Sequence, residues 1–484
     1  CLILYIKSPH GLDLKLSLSS NIYSIKNLFC QKTSMEMMIW HGKMYFMLES
    51  KWSLGMELSA KEDLMQKRIN NLWLILGLFV LLILTAGCGD ILSAQKNNQE
   101  ELSGVKFVRQ IVTQDNTSSR AIMWQSDEPI ADGAVEYRQV GENKVNRVGA
   151  KGELYTDDGQ NLMLYTARLE NLPAGDKLEY RLIGNGQVGK WHNLSTDDGG
   201  AFTALIFPDS QSSDYSGWQE LAQNAAKRNP EAKFFVNMGD LVDNGEDHSQ
   251  WEAWFNSLAG IIDRIPVAPI MGNHETYDRD WQVREPVAYL NEFAVPDNGS
   301  SKYGRYYYSY DYGSVHFIVL NTQLQELKEM SPDLREEQLR WFRQDVANSQ
   351  KPWKVVLMHR DALQYRINGR PERQEGFDEE GLVWMTVFEE MGVDAVLSAH
   401  LHTYRNRGHI RNFQHDASGP LYILTGVAGN VRYPNLWLNH ALDEYVAPQP
   451  ETANYMTMQA TENQLDFYCY LPDGTELDHE VLKK

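Results

Sequence analysis

Five stretches of the chain place Asp, Asn or His directly after a short apolar run. "FTALIF" is followed by Pro208-Asp209, "KFFVNM" by Gly239-Asp240, and "IPVAPIM" by Gly272-Asn273-His274-Glu275. "WKVVLM" runs into His359-Arg360, and "VDAVLSA" into His400-Leu401-His402. These side chains offer oxygen and nitrogen donors without a thiolate, a set suited to Mn, Fe or Zn. Each stretch alone is a weak signal, since a His-x-His on a strand merely puts two rings on one face. Five in one region point to strand ends that gather at one place, the carboxyl ends where α/β sheets collect ligands. Two ions held close together need a bridging carboxylate. Such a pair clamps the attacking and leaving oxygens of an in-line phosphoryl transfer.

The elements that must position these residues can be read around them. The apolar runs, with "SVHFIVLN" and "LYILTGVAG", alternate with helical patterns in "WQELAQNAAKRN", "QWEAWFNSLAGI", "EEQLRWFRQDVANS" and "LVWMTVFEEMG". That alternation predicts an α/β domain over residues 201–484. Its tail, from Asn454 onward, predicts β-hairpins, with a turn at Pro472-Asp473-Gly474. Residues 105–198 differ. Short, β-rich segments such as "VKFVRQIV", "SRAIMWQS" and "KLEYRLIG" are separated by turn residues, the spacing of an all-β sandwich. "TDDGG" at Thr196–Gly200 reads as the linker between the two. Trp251 and Trp254 are predicted core. His248, His409, His415 and His440 are assigned to surface or packing. The Tyr-rich stretch near Tyr308 is assigned to a strand.

Composition narrows the partners. The chain has 484 residues and a formal net charge of −20. So acidic a chain argues against nucleic acid as a main partner, because phosphate binding favours basic patches. Four cysteines, Cys1, Cys30, Cys88 and Cys469, show no CxxC spacing and no disulfide framework. Cys469, in "LDFYCYL", reads as a buried strand thiol.

The first 104 residues read as leader and tether. From Met65, a basic start at Lys67-Arg68 precedes the apolar run Leu72–Leu84, then Thr85-Ala86-Gly87-Cys88. That is the layout of a secretory signal peptide. The apolar run is short of the roughly 20 residues a membrane span wants. Lys61–Asp63 can be encoded by a ribosome-binding sequence just ahead of Met65, so residues 1–64 are read as translated upstream DNA. Residues 89–104 are polar and read as a tether.

Several of these stretches resemble known families. The small residues ending in Cys88 resemble a bacterial lipobox, which implies lipidation of Cys88 and a protein exported to the cell membrane or surface. Asp209, "GDLVDNG", "GNHE", His359 and "AHLH", in that order, resemble the calcineurin-like metallophosphoesterases. "ARLENLPAGDKLEYRL" is similar to fibronectin type III domains, and with the strands around it resembles the N-terminal domain of purple acid phosphatases. The resemblance implies a four-layer α/β/β/α sandwich behind a fibronectin III-like domain. It also implies two divalent or trivalent ions (Fe, Mn or Zn) and no organic cofactor. Asp209 and His402 would hold one ion, and Asn273, His359 and His400 the other, with Asp240 bridging. A metal-activated hydroxide would attack phosphorus. His274 would work as general acid, its ring oriented by Glu275. Arg360 would clamp phosphate and Tyr404 would face substrate, while Arg405, a departure from the family, is read as a positive charge beside the cleft that selects a more anionic substrate or only solvates the rim.

Departures from the family pattern sharpen the expectations. Gln211 stands where many relatives have a histidine ligand and is a possible weak ligand. Asp243 stands where purple enzymes carry the iron-binding tyrosine, so the violet colour is not expected. Ala399 replaces a glycine, and Arg405 stands where Glu is usual. The function implied is hydrolysis of phosphomonoesters at the cell surface. A phosphodiesterase for nucleotides or lipid head groups is the alternative, since loops such as 277–296 and 360–381 choose the leaving group. A binding protein with an inactive phosphoesterase domain is a third reading. Oligomeric state is left open.

Overall fold

The computed structural model describes residues 100–484 except Asp176, together with the backbone of five strands further upstream. The chain divides into two compact units, Cys1–Asn98 and Gln99–Lys484. In the first, strands Leu2–Lys7, Leu12–Leu18, Met35–Trp40, Lys43–Leu48 and Trp52–Ala60 form one antiparallel sheet. The signal peptide and lipobox, 65–88 with Cys88, lie outside the described residues, as does 89–99 of the tether.

The second unit opens with strands β1 (Val105–Ile111), β2 (Arg120–Ser126), β3 (Ala134–Gln139), β4 (Asn146–Gly149), β5 (Lys151–Asp157), β6 (Gln160–Leu169), β7 (Lys177–Gly184) and β8 (His192–Ser195). They form two sheets, with β3, β4, β7 and β8 in one and β1, β2, β5 and β6 in the other. Ile122, Trp124, Val135, Tyr180 and Leu182 fill the space between, and Trp124 stacks on Tyr165 at 5.3 Å.

The strand ends that carry Asp, Asn and His lie further along the chain. Here come β9 (Phe202–Phe207), α1 (Ser216–Arg228), β10 (Phe234–Asn237), α2 (His248–Ser257), β11 (Val267–Pro269), β12 (Tyr308–Tyr312), β13 (Val315–Leu320), α3 (Leu334–Asn348), β14 (Trp353–Met358), α4 (Glu379–Met391), β15 (Ala395–Ser398), β16 (Tyr404–Arg411) and β17 (Leu421–Thr425). The chain ends in β18 (Tyr455–Ala460), β19 (Gln464–Tyr470) and β20 (Glu476–Lys483). One sheet runs β5-β6-β2-β1-β11-β10-β9-β18-β19-β20, and the other runs β12-β13-β14-β15-β17-β16 and on to Gln414–His415.

Within these sheets β9, β10 and β11 are mutually parallel, as are β13, β14, β15 and β17. Both faces of such strands are covered, which is why they read as continuous apolar runs. Along β13 and β14, Phe317, Val319, Val355 and Leu357 face the core shared with the first sheet, while Ile318, Leu320, Val356 and Met358 face α3 and α4. On α1, Trp218, Leu221, Ala222 and Ala225 follow helical spacing into the shared core. Asp247 caps α2 by accepting from Ser249 N, and Asp378 caps α4 by accepting from Glu379 N. Gly392 closes α4 with a left-handed φ of 66°.

One sequence expectation changes. Thr196–Gly200 is not a free linker, because Thr196 and Asp197 are buried and Asp197 accepts hydrogen bonds from Gly199 N and Gly313 N. The sandwich is sewn to the α/β region: β1 pairs with β11 at Ile111 and Val267, the Arg109 guanidinium meets Glu292 at 2.6 Å, and His192 meets Asp263 at 2.9 Å. The tail forms the expected antiparallel hairpins, β18 with β19 and β19 with β20, and β18 also lies antiparallel to β9, so they extend the central sheet. Cys469, on β19, is a buried free thiol.

Candidate active site

Five strand ends meet where the carboxyl ends of the two parallel sets converge. β9 delivers Asp209, β10 Asp240, β11 Asn273 and His274, β14 His359, and β15 His400 and His402. Asp240 has φ 46°, His400 φ 75° and His402 φ 53°, a left-handed region that non-glycine residues rarely occupy. Three such residues in one cluster mark a strained site held in place by its surroundings. Gly239 (φ 95°) sets up the turn into Asp240, and a Cβ there would run into the His359 ring. Gly272 is glycine for a different reason: a Cβ would strike the Asp240 carboxylate.

The donors form two groups that share one residue. Asp240, His359 and His400 bring their ligand atoms within 4.8 Å of one another, and so do Asp209, Asp240 and His402. In the first group, His359 Nε2 lies 3.1 Å from Asp240 Oδ2 and 3.2 Å from Asn273 Oδ1. In the second, His402 Nε2 lies 3.1 Å from Asp209 Oδ2. Asp209, Asp240, Asn273, His359 and His402 are all buried, and His400 is half-buried.

The donor chemistry fits a cation in each group. His359 Nδ1 donates to the Met238 carbonyl at 3.0 Å, and His402 Nδ1 to the Val431 carbonyl at 2.9 Å. With Nδ1 spent on a carbonyl, each ring turns its Nε2 toward carboxylate oxygens, an arrangement that needs a proton or a metal cation between the two. Gln211 adds to this set. Its amide nitrogen Nε2 lies 3.2 Å from His402 Nε2, and its Oε1 is buried without a partner.

Electrostatics within the cluster are strong. Burial opposes the Asp240 charge, yet His359, His274 and His400 hold its carboxyl well below the usual range. Burial likewise opposes charge on His359, but Asp240 pushes the imidazole up to about 9. His400 is pushed well below its ordinary value by burial, then by His359 and Arg360.

His274 stands at the rim. Its Nδ1 lies 2.6 Å from the Asp243 carbonyl, and its Nε2 lies 3.9 Å from Asp240 Oδ2. Burial works against its protonation, but Asp240 and the Asp243 carbonyl raise its pKa. Its ring is therefore oriented by Asp243 and not by Glu275, the partner that the sequence suggests. Glu275 is a structural clamp, accepting from the backbone N–H of Asp240, Leu241 and Gly272. Burial, then Asp240, push its carboxyl up to about 7.

Three residues expected to meet substrate fall differently. Arg360 reaches the site: its Nη1 lies 3.4 Å from His400 Nε2, and its Nη2 pairs with Glu326. Arg405 does not. It is fully buried, paired with Asp443 at 2.5 Å and stacked over Tyr365 at 4.6 Å. The charge expected at the cleft rim is therefore neutralised inside the protein. Tyr404 is also buried, its hydroxyl donating to Asp478 Oδ2 at 2.8 Å.

Several neighbours of the site carry no signal in a single sequence. Glu326 holds Arg360, Tyr433 packs on His402 at 4.9 Å, and Tyr277 and Trp281 pack on His274. All four sit outside the central strands, where no periodicity marks them. Tyr277 and Trp281 belong to one of the loops expected to choose the leaving group.

The calcineurin-like phosphoesterase family profile matches residues 191–404, a span that contains every donor named above. This chain has a calcineurin-like phosphoesterase domain. It is similar to purple acid phosphatase 15 of Arabidopsis thaliana, 28% identical over 209 residues, which are 42% of this chain and 36% of that protein. It is similar also to purple acid phosphatase 23 of the same plant, 28% identical over 199 residues, 38% of each chain. The match thus spans little more than a third of these relatives' length. Among solved structures, the fold resembles the purple acid phosphatase PPD1 from yellow lupin seeds, with a TM-score of 0.65 at 16% identity, covering 78% of this chain and 74% of that one. It also resembles PhoD, with a TM-score of 0.55 at 11% identity, covering 78% and 90%. The phosphoesterase domain is thus a metallophosphoesterase fold with β-rich additions.

Proposed function

We propose that the chain hydrolyses phosphate esters as an acid-phosphatase-like phosphomonoesterase. In this reading, Asp209 and His402 would hold one ion, Asn273, His359 and His400 would hold a second, and Asp240 would serve both. The observation that carries the reading is the sharing of Asp240 by two buried donor groups. Fe, Mn and Zn all suit this mixture of carboxylate, amide and imidazole. When bound, such ions would supply an acidified water and positive charge beside the phosphoryl oxygens.

The remaining work falls to side chains. With Nδ1 donating to the Asp243 carbonyl, His274 Nε2 is free to hold a proton at the cleft, and its raised pKa favours that state. A proton there can pass to the departing alkoxide. Arg360 presents a guanidinium beside His400, where one nitrogen can bind a phosphoryl oxygen while Glu326 retains the other. Gln211, with an unpartnered buried oxygen, is a further weak ligand beside His402. We also assign the protein to the outside of the cytoplasmic membrane, anchored through a lipid on Cys88, on the strength of its leader-like segment. A mass spectrum of the native protein that began before Met65 would contradict this.

The test is hydrolysis of p-nitrophenyl phosphate and its bis-ester with Mn, Fe or Zn, by the wild type, Asp240→Asn and His274→Ala. The monoester should turn over faster, and both variants should lose activity. Full activity in Asp240→Asn would remove the assignment. A metal-loaded wild type inert toward both esters would favour a non-catalytic binding role.

A further inference from the structure

Trp281 is an exposed aromatic side chain in a place where exposure has a use. It is 53% exposed, and among the described residues no other large apolar aromatic is open to solvent to this degree. Scattered exposed apolar groups are ordinary and need no explanation. This one is not scattered. Its ring lies 5.7 Å from the His274 ring, nearly perpendicular at 89°, and 5.9 Å from Tyr277.

The backbone holds it there under strain. Trp281 has φ 61°, a conformation that bulky side chains avoid. The turn around it is tied down on every side. Trp281 N donates to the Asp278 carbonyl, the Asp278 carboxylate accepts from Asp280 N and Gln282 N, Tyr277 bridges Val283, and Arg284 N donates to the Thr276 carbonyl. A strained residue fixed so firmly beside a reactive group points to a role for its side chain. The turn could have kept its shape with Asn or Gly. It carries instead an indole whose surface faces water at the edge of the cleft.

We propose that Trp281 is a stacking platform for the leaving group, and that the preferred substrates are phosphate monoesters whose leaving group carries a planar unsaturated ring, either aryl esters or nucleoside monophosphates. The inference rests on the proposed function, which places the leaving oxygen beside His274. A flat ring carried by that oxygen comes within reach of the indole. Stacking of this kind is tolerant of ring identity, because every such ring has a π-face.

Binding tests it without relying on turnover. The probes are hydrolysis-resistant phosphonates: benzylphosphonate for an aryl ester, the 5′-methylenephosphonate of adenosine for a nucleotide, and 3,4-dihydroxybutylphosphonate for glycerol phosphate. Titration calorimetry with the metal-loaded wild type should give at least one aromatic phosphonate a preference on the order of tenfold over the aliphatic one. Which aromatic probe wins tells whether the ring sits directly on the ester oxygen or beyond a sugar. Trp281→Asn keeps the left-handed backbone and removes the ring, and should bring the preference ratio close to one. Trp281→Tyr should restore most of it. An equal affinity for all three probes in the wild type, failure to bind any, or a preference that survives in Trp281→Asn would overturn the proposal. A wild type that shows the preference but hydrolyses no ester would leave Trp281 as a ring-stacking contact and remove the proposed function, and with it the leaving-group role.

Discussion

Two buried charged clusters adjoin in sequence, and they are built on opposite rules. His400 and His402 belong to the first, Arg405 and Arg407 to the second. In the second cluster every charge has its complement. Arg405 meets Asp443 at 2.5 Å, Arg407 meets both oxygens of Asp361, and the Tyr365 hydroxyl donates to Asp443 while accepting from Arg407. In the first, donors are spent on backbone carbonyls, and what remains turned inward is a set of carboxylate oxygens and imidazole lone pairs. Burial and charge alone therefore do not identify a functional site. A surplus of acceptors does, because it is stable only around a metal cation or added protons.

The largest expected effect lies in the first cluster. Asp240→Asn should lower activity on p-nitrophenyl phosphate by more than about 100-fold, since even residues supporting a ligand from behind change metal affinity or activity by about 10- to 100-fold.

The matched cluster should respond in the opposite sense. Arg407→Leu leaves Asp361 buried and unpaired, and should destabilise the fold by roughly 3–5 kcal/mol in urea or thermal unfolding. Metal content per folded chain should not change. A variant that folds well but loses metal would blur the distinction between the clusters.

Chelation ranks next. Removing ions that bind only the folded state should lower stability by about 3 kcal/mol when they had been present at roughly 100 times their dissociation constant. The melting temperature should fall on adding a chelator and recover on adding back Mn or Zn. An unchanged melting temperature would argue that the acceptor-rich cluster needs no cation.

His316 gives a titratable version of the matched type. It lies between Asp311 at 2.7 Å and Asp345 at 2.9 Å. Burial opposes its protonation, but the two carboxylates push it up to about 9 from an ordinary 6.5. Because the folded-state pKa is raised, its stabilisation is fully present below pH 6.5 and is lost as pH rises through 9. The stability gap between wild type and His316→Gln should be about 2 kcal/mol at pH 6 and should close by pH 10. A gap that does not vary with pH would contradict the pairing.

Legibility in the sequence divides along the same line. Asp209, Asp240, Asn273, His359, His400 and His402 come after apolar runs, and an apolar run covered on both faces is a local pattern. The helices α1 to α4 are equally local, set by spacing and caps. The partner of Arg405 is not local, since Asp443 lies 38 residues on in a loop. Nothing near Arg405 in sequence marks it as neutralised, so it reads as a free charge at the rim. The same holds for Glu326 beside Arg360 and Tyr433 beside His402, both supplied by segments without periodicity. Glu275 misleads for another reason. Its neighbour His274 is the obvious partner, whereas its carboxylate satisfies backbone amides of the preceding strand ends. Sheet continuation from β1 into β11 is a long-range pairing that a short polar joint conceals.

The most direct test of the two-ion centre is the number of ions each chain holds. Protein equilibrated with Mn or Zn, freed of excess and measured by inductively coupled plasma mass spectrometry, should carry two ions in the wild type. It should carry about one in His402→Ala and about one in His359→Ala, with Arg407→Leu unchanged among folded molecules. A wild type that holds fewer than two, or single variants that still hold two, would contradict a pair of donor groups joined through Asp240.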